Sequence, residues 1–301
     1  MAEDCGIPGS LLKVERQTLY EVDGVPMMRR FFEYNEKIRN FEAKPDDVLV
    51  ATYPKAGTTW MIEIVDCILS GGVTDKIRNQ PSGTRAPFIE LCKSSHSYPG
   101  VDILDATPSP RLVNTHLPVK LVPPSFWESN CRIIYVARNA KDVLVSYYFF
   151  HKLNLRMPET GSWEEFFESY LSGKVAWGSW FDHVTTWWDI RQRQQVLYIF
   201  YEDIVQDPQR VIERVSPFLG RTFGRTVIDE IMKHTAFSNM KDNPMTNFSN
   251  LPWFNLKVSP FMRKGKVGDW KNHFTVAQNE RFEKEYQRRM AKTSLRFTDD
   301  L

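Results

Sequence analysis

The sequence lacks the features that mark membrane-spanning, secreted and nucleic-acid-binding proteins. It has no run that approaches the ~20 apolar residues of a transmembrane helix, and its first residues show neither the basic nor the apolar segment of a signal peptide. The 39 lysine and arginine residues are nearly balanced by 37 aspartate and glutamate residues, which gives a net charge of +2. This balance argues against a surface that binds nucleic acid or an anionic membrane. We therefore expect a soluble, cytoplasmic protein that binds neither.

Cysteine is also scarce, and its positions exclude two further classes. The four cysteines, at 5, 67, 92 and 131, form neither a C-x-x-C pair nor a metal-type spacing. They are therefore expected to be reduced structural thiols and not part of a disulfide framework or a zinc site. Internal repeats and low-complexity tracts are absent as well. One domain over residues 1–301, with a substantial core, is the simplest organisation.

Short apolar runs alternate with amphipathic segments along the chain, a pattern typical of parallel βαβ units. Predicted strands cover residues 48–52, 111–115, 132–137 and 195–200. Predicted helices cover residues 25–41, 59–69, 140–153, 162–173, 180–193, 207–219 and 225–234, with a charged helix after Thr275. Residues 1–24 are expected to be an irregular lead-in, and 73–110 and 236–268 to be loop-rich segments over the site. The predicted fold class is α/β, a three-layer domain around a central, mostly parallel sheet.

The stretch Tyr-Pro-Lys-Ala-Gly-Thr-Thr-Trp at residues 53–60 joins a predicted strand to a predicted helix. Backbone N–H groups of the first helical turn and the side chains of Lys55, Thr58 and Thr59 can converge there on an anion. Gly57 has no Cβ to block the approach of a phosphate. The lysine precedes the only glycine, unlike in the P-loop pattern G-x-x-x-x-G-K-[ST]. The residues alone therefore favour phosphate binding but leave a plain turn open.

The same stretch resembles the loop with which cytosolic sulfotransferases hold the 5′-phosphosulfate of 3′-phosphoadenosine 5′-phosphosulfate (PAPS), although Ala56 replaces the usual serine. Residues 135–146 resemble the family's 3′-phosphate segment, and residues 261–270 resemble its Arg-Lys-Gly clamp. Matching segments extend from near residue 25 to the carboxyl end. The resemblance implies a P-loop-like phosphosulfate-binding loop and transfer of sulfonate from PAPS to a hydroxyl or amine of a small acceptor, without a metal.

The resemblance also implies which residues hold the nucleotide. Trp60 and Tyr201 would lie around the adenine ring, where flat aromatic faces suit a purine. The implied nucleotide-binding residues are Lys55, Ala56, Gly57, Thr58, Thr59, Trp60, Arg138, Ser146, Tyr201, Thr235, Ala236, Phe237, Ser238, Asn239, Met240, Phe261, Met262, Arg263, Lys264 and Gly265.

Of the six histidines, His116 is the one at a predicted strand end that faces the expected ligand crevice. The resemblance makes His116 the catalytic base, and a histidine pKa near ~6.5 suits that role at neutral pH. It also implies that Lys55 stabilises the leaving oxygen and that Ser146 holds Lys55. Many family members have a lysine where this chain has Asn114, so we expect slow turnover of some acceptors.

For the acceptor, the resemblance implies aromatic walls and a flat, apolar phenol or steroid. The implied acceptor-site residues are Phe31, Phe88, Asn114, His116, Phe149, Phe150 and Phe248. Each phenylalanine taken singly could equally be a core residue. The segment Lys271–Glu280 fits the Lys-x-x-x-Thr-Val-x-x-x-Glu pattern through which these enzymes pair, which implies a homodimer.

Two other functions remain open at this point. A P-loop kinase or NTPase would use magnesium, and the position of Lys55 argues against it. A protein that binds the nucleotide without turnover is the second alternative. Asn114 keeps that alternative open, whereas His116 opposes it.

Overall fold

A computed structural model of the protein describes residues 15–91 and 99–301. The β-strands are β1 (Leu19–Val22), β2 (Val25–Met28), β3 (Val48–Thr52), β4 (Leu112–Thr115), β5 (Arg132–Ala137) and β6 (Val196–Phe200). The α-helices are α1 (Arg29–Arg39), α2 (Thr58–Leu69), α3 (Asp75–Asn79), α4 (Ser82–Arg85), α5 (Gly100–Asp105), α6 (Ser125–Glu128), α7 (Ala140–Leu153), α8 (Trp163–Leu171), α9 (Trp180–Ile190), α10 (Tyr201–Gln206), α11 (Pro208–Phe218), α12 (Arg225–His234), α13 (Phe237–Asp242) and α14 (Val276–Met290). Short 3₁₀ helices cover Val119–Leu121 and Asp269–Asn272.

Strands β3 to β6 form a parallel sheet in the order β4-β3-β5-β6. The chain leaves β3 toward β4 on one side and later returns to β5 on the other side. In such sheets, ligands bind at the carboxyl ends of the two strands where the direction of winding reverses. Lys55 follows β3 and Arg138 follows β5, so the switch point brings these two predicted site residues to the same crevice. The predicted α/β class is confirmed.

Each face of this sheet is covered by a separate hydrophobic core, because side chains alternate along each strand. Leu49 and Ile133 pack into a core with residues of α7, α8, α9 and α14. Val50 and Ile134, one residue further along, pack into a second core with α2, α11 and α12. The predicted three-layer arrangement is therefore confirmed.

Several predicted boundaries agree with the structure because local capping determines them. Ser162 and Glu165 form a capping box at the start of α8, and Asp207 caps α11 ahead of Pro208. Thr275 caps α14 in the same way with Gln278. Strand β5 and helix α7 begin and end at the predicted residues.

The prediction for the amino-terminal region is wrong in part. Val25–Met28 is strand β2, not helix, and it pairs antiparallel with β1, which lies in the supposedly irregular lead-in. Asp23 and Gly24 have φ values of 48° and 73° and connect the two strands. An Asp-Gly pair between apolar residues favours such a hairpin turn, a signal that outweighs the helical spacing. Residues 1–14 of the lead-in lie outside the described residues.

Residues 73–110, predicted to be a loop-rich segment over the site, contain more regular structure in their described part than expected. This part contains helices α3, α4 and α5, each too short to show a helical period. Its buried apolar residues are Ile77, Ala86, Ile89, Val101 and Leu104. The N–H of Ser82 donates to the carbonyl of Met245 at 2.9 Å, which joins the two loop-rich segments. Residues 236–268 contain α13 and are otherwise irregular, as predicted, while residues 92–98 lie outside the described part.

The structure also bears on two of the exclusions made from the sequence. Within residues 15–91 and 99–301, every helix is too short or too polar to cross a membrane. Cys67 and Cys131 are buried free thiols, as predicted, and cysteines 5 and 92 lie outside the described residues.

Candidate active site

The loop after β3 turns sharply before α2 begins. Lys55 and Gly57 have φ values of 68° and 103°. A Cβ on Gly57 would lie 2.7 Å from Cδ2 of Tyr201, so only glycine permits this close approach. The hydroxyl of Thr58, the first residue of α2, lies 2.6 Å from that of Thr52. The loop ends at a helix N-terminus, where unpaired N–H groups suit an anion.

The side chain of Lys55 is enclosed by two aromatic rings. Its Nζ lies 3.9 Å from the ring centroid of Phe261 and 4.6 Å from that of Phe150. Burial and, to a lesser extent, the charges of Arg138 and Arg263 together lower the pKa of Lys55 to about 7. A bound anion would offset both causes and favour the charged lysine. Ser146 and Arg263 line the same small cavity as Lys55.

Arg138, at the end of β5, supports the Lys55 loop from behind. Its Nη1 donates to the carbonyl of Lys55 at 3.3 Å, and its Nη2 donates to the carbonyl of Lys266 at 3.1 Å. Its guanidinium carbon lies 4.2 Å from the ring centroid of Tyr201. Arg138 therefore joins the β3 loop to the segment that carries the predicted clamp.

The clamp segment, residues 261–270, contacts α7 and α13. Asp142 of α7 accepts hydrogen bonds from the N–H groups of Gly268 and Trp270, at 2.8 and 3.0 Å. Gly265 has a φ of 65°, and a Cβ there would lie 2.3 Å from the ring of Phe237. Because Phe237 belongs to the predicted adenine segment 235–240, the structure brings this segment to the clamp.

Three buried N–H donors of this region have no hydrogen-bond partner among residues 15–91 and 99–301. They are Nε of Arg138, Nε of Arg263 and Nε1 of Trp60. The ring of Trp60 packs edge-on against Tyr201, with centroids 5.7 Å apart. Buried donors are nearly always paired in folded proteins. These unpaired donors therefore fit a ligand rich in acceptor atoms, such as a phosphorylated nucleotide.

His116 follows β4 and faces the same crevice. Its Nδ1 lies 2.9 Å from the carbonyl oxygen of Thr52, which can only accept, so Nδ1 carries the proton and Nε2 has the lone pair. Burial lowers the pKa of His116 to about 3, although the hydrogen bond to the Thr52 carbonyl partly opposes this effect. The imidazole is therefore neutral at pH 7, the protonation state required of a base.

Glu90 lies behind His116, and the sequence analysis missed it. Its carboxylate accepts hydrogen bonds from the His116 N–H at 2.5 Å, the Thr115 hydroxyl at 2.9 Å and the Trp177 indole at 3.2 Å. Burial raises the pKa of Glu90 to about 7. Glu90 and Trp177 come from distant segments, so no local spacing in the sequence signals this arrangement.

His183, in α9, is not at a strand end, but it contacts the backbone of His116. Its Nε2 donates to the carbonyl of His116 at 3.0 Å, and its Nδ1 accepts from the hydroxyl of Tyr135 at 2.7 Å. His183 thus fixes the backbone of the predicted base. His273 also lies in the site, 3.4 Å from Asp269, whereas His96 lies outside the described residues.

The predicted aromatic walls divide into two groups. Phe88 packs against His116 with centroids 4.9 Å apart, and Trp177, at 5.2 Å from His116, lies beside it. Phe248 packs against Phe261 at 4.7 Å. Phe150 lies 6.1 Å from Phe261 and joins the group that encloses Lys55.

The two remaining predicted wall residues differ in their surroundings. The ring of Phe149 contacts Arg263 and His273, with centroid distances of 5.0 and 5.4 Å, and it lines the same cavity as Lys55 and Phe150. Phe31 is only 2% exposed and belongs to the core that contains Leu49 and Ile133. Its role in acceptor binding stays a prediction.

Asn114 lies in β4, two residues before His116. Its N–H donates to the carbonyl of Pro87, and its carbonyl accepts from the N–H of Ile89, both at 3.0 Å. Its Oδ1 is buried without a partner in the described part of the chain. The backbone is thus held by two hydrogen bonds, while the side-chain oxygen is unpaired within the described residues.

Comparisons with known proteins agree with this geometry. The family described as sulfotransferase domain matches residues 45–294. Sulfotransferase 1C2 of Rattus norvegicus is 50% identical over 292 residues, which cover 96% of this chain and 98% of the relative. The structure of mouse sulfotransferase SULT7A1 complexed with PAP shows 31% identity and a TM-score of 0.75, covering 92% of this chain and 96% of the other. Retinol dehydratase in complex with androsterone and inactive cofactor PAP shows 25% identity and a TM-score of 0.85, covering 93% of this chain and 92% of the other.

Proposed function

The chain belongs to the sulfotransferase family, and on that premise we propose that it transfers the sulfonate of PAPS to a hydroxyl or amine of a small apolar acceptor. The observation that carries this proposal is a group of three basic side chains, the buried Arg138 and the partly buried Lys55 and Arg263, beside a neutral His116. Cations of this kind suit the phosphates of the nucleotide, and a neutral histidine suits a base. A kinase or NTPase is not favoured, because relatives at this level of identity are sulfotransferases.

The residues around the crevice fit PAPS. Two structural relatives contain PAP, the desulfonated nucleotide. The loop residues 55–60 would hold the 5′-phosphosulfate, while Arg138, Ser146 and the turn 263–265 would hold the 3′-phosphate. Trp60, Tyr201 and residues 235–240 would enclose the adenine. The unpaired donors of Arg138, Arg263 and Trp60 support this assignment. When bound, PAPS supplies the sulfonate group.

In the proposed mechanism, Nε2 of His116 accepts the proton of the acceptor hydroxyl. The hydrogen bond from Nδ1 to the Thr52 carbonyl keeps the ring in the required tautomer and stabilises the positive charge that forms. Lys55 supplies positive charge where the leaving group becomes negative, so that no metal is required. Ser146, which lines the same cavity, restrains Lys55.

The acceptor site is proposed to lie between the two aromatic groups. Phe88 and Trp177 pack against His116, while Phe150 and Phe248 contact Phe261. Flat aromatic walls around a single base suit a phenol or a steroid. The androsterone in the retinol dehydratase complex is consistent with a steroid as acceptor.

We also propose a homodimer formed through Lys271–Glu280. Val276, in the first turn of α14, is 76% exposed although it is apolar. An exposed valine at the centre of this segment supports a contact with a second copy. The expected interface is small and two-fold symmetric.

Transfer of radioactive label from [³⁵S]PAPS to a naphthol, with a chelator present and with steroids and amines in parallel, tests the activity. We expect labelled product without added metal, and we expect His116→Ala to lose at least about a hundredfold in turnover while it still binds PAP. Unchanged turnover in His116→Ala would contradict the role of this residue. Tight PAP binding without product on any acceptor would favour a nucleotide-binding protein.

A further inference from the structure

Residues 295–300, which we call the strap, follow α14 and pack against the body of the protein. Leu295 is fully buried. The ring of Phe297 lies 5.0 Å from that of Trp180 and 5.4 Å from that of Phe200, measured between centroids. These apolar contacts anchor the strap and bring the next residues, Asp299 and Asp300, to the end of the clamp segment.

Asp299 closes a ring of three contacts with Lys141 and Trp270. Its Oδ2 lies 3.1 Å from Nζ of Lys141, and its carbonyl accepts from the Trp270 indole at 3.1 Å. The Nζ of Lys141 in turn lies 3.9 Å from the ring centroid of Trp270. The side chain of Lys141 is only 5% exposed, and it also pairs with Glu283. A cation this buried depends on its anionic partners.

This ring of contacts is directly connected to the proposed 3′-phosphate site. Lys141 lies in the first turn of α7, three residues after Arg138. Its neighbour Asp142 accepts from the N–H groups on both sides of Asp269. Asp269 pairs with Arg263 at 2.5 Å. The strap thus joins the start of α7, next to Arg138, to the clamp segment that contains Arg263. These are the two guanidinium groups proposed to hold the 3′-phosphate.

We propose that Asp299 is a positioning residue for the nucleotide. Its carboxylate and carbonyl hold Lys141 and Trp270, and through them they maintain the spacing of Arg138 and Arg263. This inference rests on the proposed function and deepens it at the nucleotide site. A positioning role for Asp299 differs from a purely structural role in what it affects. A purely structural role would lower the stability of the whole protein without a selective effect on nucleotide binding.

The test replaces Asp299 with asparagine, which removes the charge and keeps the backbone carbonyl. We expect Asp299→Asn to bind PAP about three- to fivefold more weakly, since a partly exposed ion pair contributes modestly. At saturating PAPS, kcat and the KM for the acceptor should stay at the wild-type values. Asp299→Glu should restore the affinity for PAP. Titration calorimetry gives the Kd for PAP, and urea unfolding monitors stability in each variant.

Asp300→Asn is the matched control, because Asp300 is the adjacent acid but pairs with the half-exposed Lys271. It should leave the Kd for PAP unchanged. In a Lys141→Met background, Asp299→Asn should have little further effect, since the two residues act together.

Wild-type affinity for PAP in Asp299→Asn would overturn the inference, and so would an equal loss in Asp299→Asn and Asp300→Asn. Weaker binding that merely follows a lower unfolding midpoint, without rescue by Asp299→Glu, would also overturn it. Failure of the wild type itself to bind PAP would refute the proposed function together with the inference.

Discussion

Burial of the neutral His116 should make the stability of the protein depend on pH. In the unfolded chain this histidine has a pKa near ~6.5, whereas burial lowers its pKa in the folded protein to about 3. Below pH 6.5 the unfolded state therefore binds a proton that the folded state does not. The contribution of neutral His116 to the free energy of unfolding is therefore present above pH 6.5 and is lost as the pH falls toward 3. Between the two pKa values, the free energy of unfolding falls by roughly 1.36 kcal/mol for each pH unit. From pH 7 to pH 5 the loss therefore amounts to about 2 kcal/mol.

Urea unfolding of the wild type and of His116→Gln at pH 7 and pH 5 measures this contribution. Other groups also titrate in this range, so the informative quantity is the difference between the two proteins. The variant should lose about 2 kcal/mol less in its free energy of unfolding than the wild type over this interval. Its turnover should fall by at least about a hundredfold, because the proposed base is missing.

His151→Gln provides the matched control. Burial lowers the pKa of His151 to about 4, but this residue contacts the carbonyl of Pro158 and not the crevice. The control should show a similar change in pH dependence together with normal turnover. An identical pH dependence in the wild type and in His116→Gln would show that His116 titrates near its ordinary pKa, and would refute the assignment of a buried neutral base.

Three further predictions concern the loop, the acceptor site and the surface. Asn114→Lys should raise turnover of slow acceptors by up to about a hundredfold, because it adds one donor for the charge that develops during transfer. The control Asn114→Gln should not raise it. Unchanged rates of Asn114→Lys across several acceptors would show that this position does not limit turnover. Gly57→Ala combines a strained φ of 103° with a contact at 2.7 Å to Tyr201 and should cost ~2–5 kcal/mol in urea unfolding. The loss should exceed that of Gly220→Ala, where φ is also positive, at 71°, but the space is open; equal losses would contradict the steric role of Tyr201. Val276→Asp should convert a dimer to monomer in sedimentation, and a wild type that is monomeric at micromolar concentration would contradict the proposed dimer.

Most of the fold could be predicted because its signals are local. The four parallel strands, α7 and the capped starts of α8, α11 and α14 follow from short-range periodicity and from side chains that cap the adjacent backbone. The errors arose where short elements show no period. The hairpin at Asp23–Gly24 was not predicted, because the aromatic residues that follow it have helical spacing. Helices α3 to α5 were not predicted, because each spans too few turns to show a period.

In the candidate site too, residues with a local sequence signal could be predicted and residues without one could not. Lys55, Arg138 and His116 could be identified because each follows a predicted strand, and strands in a parallel sheet end at one edge. Glu90 and His183 could not be identified, because they reach His116 from 26 and 67 positions away in the chain. The role of Phe149 in the acceptor wall rests on resemblance and stays a prediction; its ring contacts Arg263 and lines the same cavity as Lys55.

The sequence by itself determined the strand-loop-helix that contains Lys55 and the parallel α/β class, because these depend on residues close together in the chain. Only the tertiary structure decided how these residues behave. It buries His116 so that the ring is neutral, encloses Lys55 between Phe150 and Phe261, and attaches Asp299 to Lys141 and Trp270. Protonation and enclosure depend on the desolvation and the charges that surround a group, and packing of distant segments alone creates these surroundings.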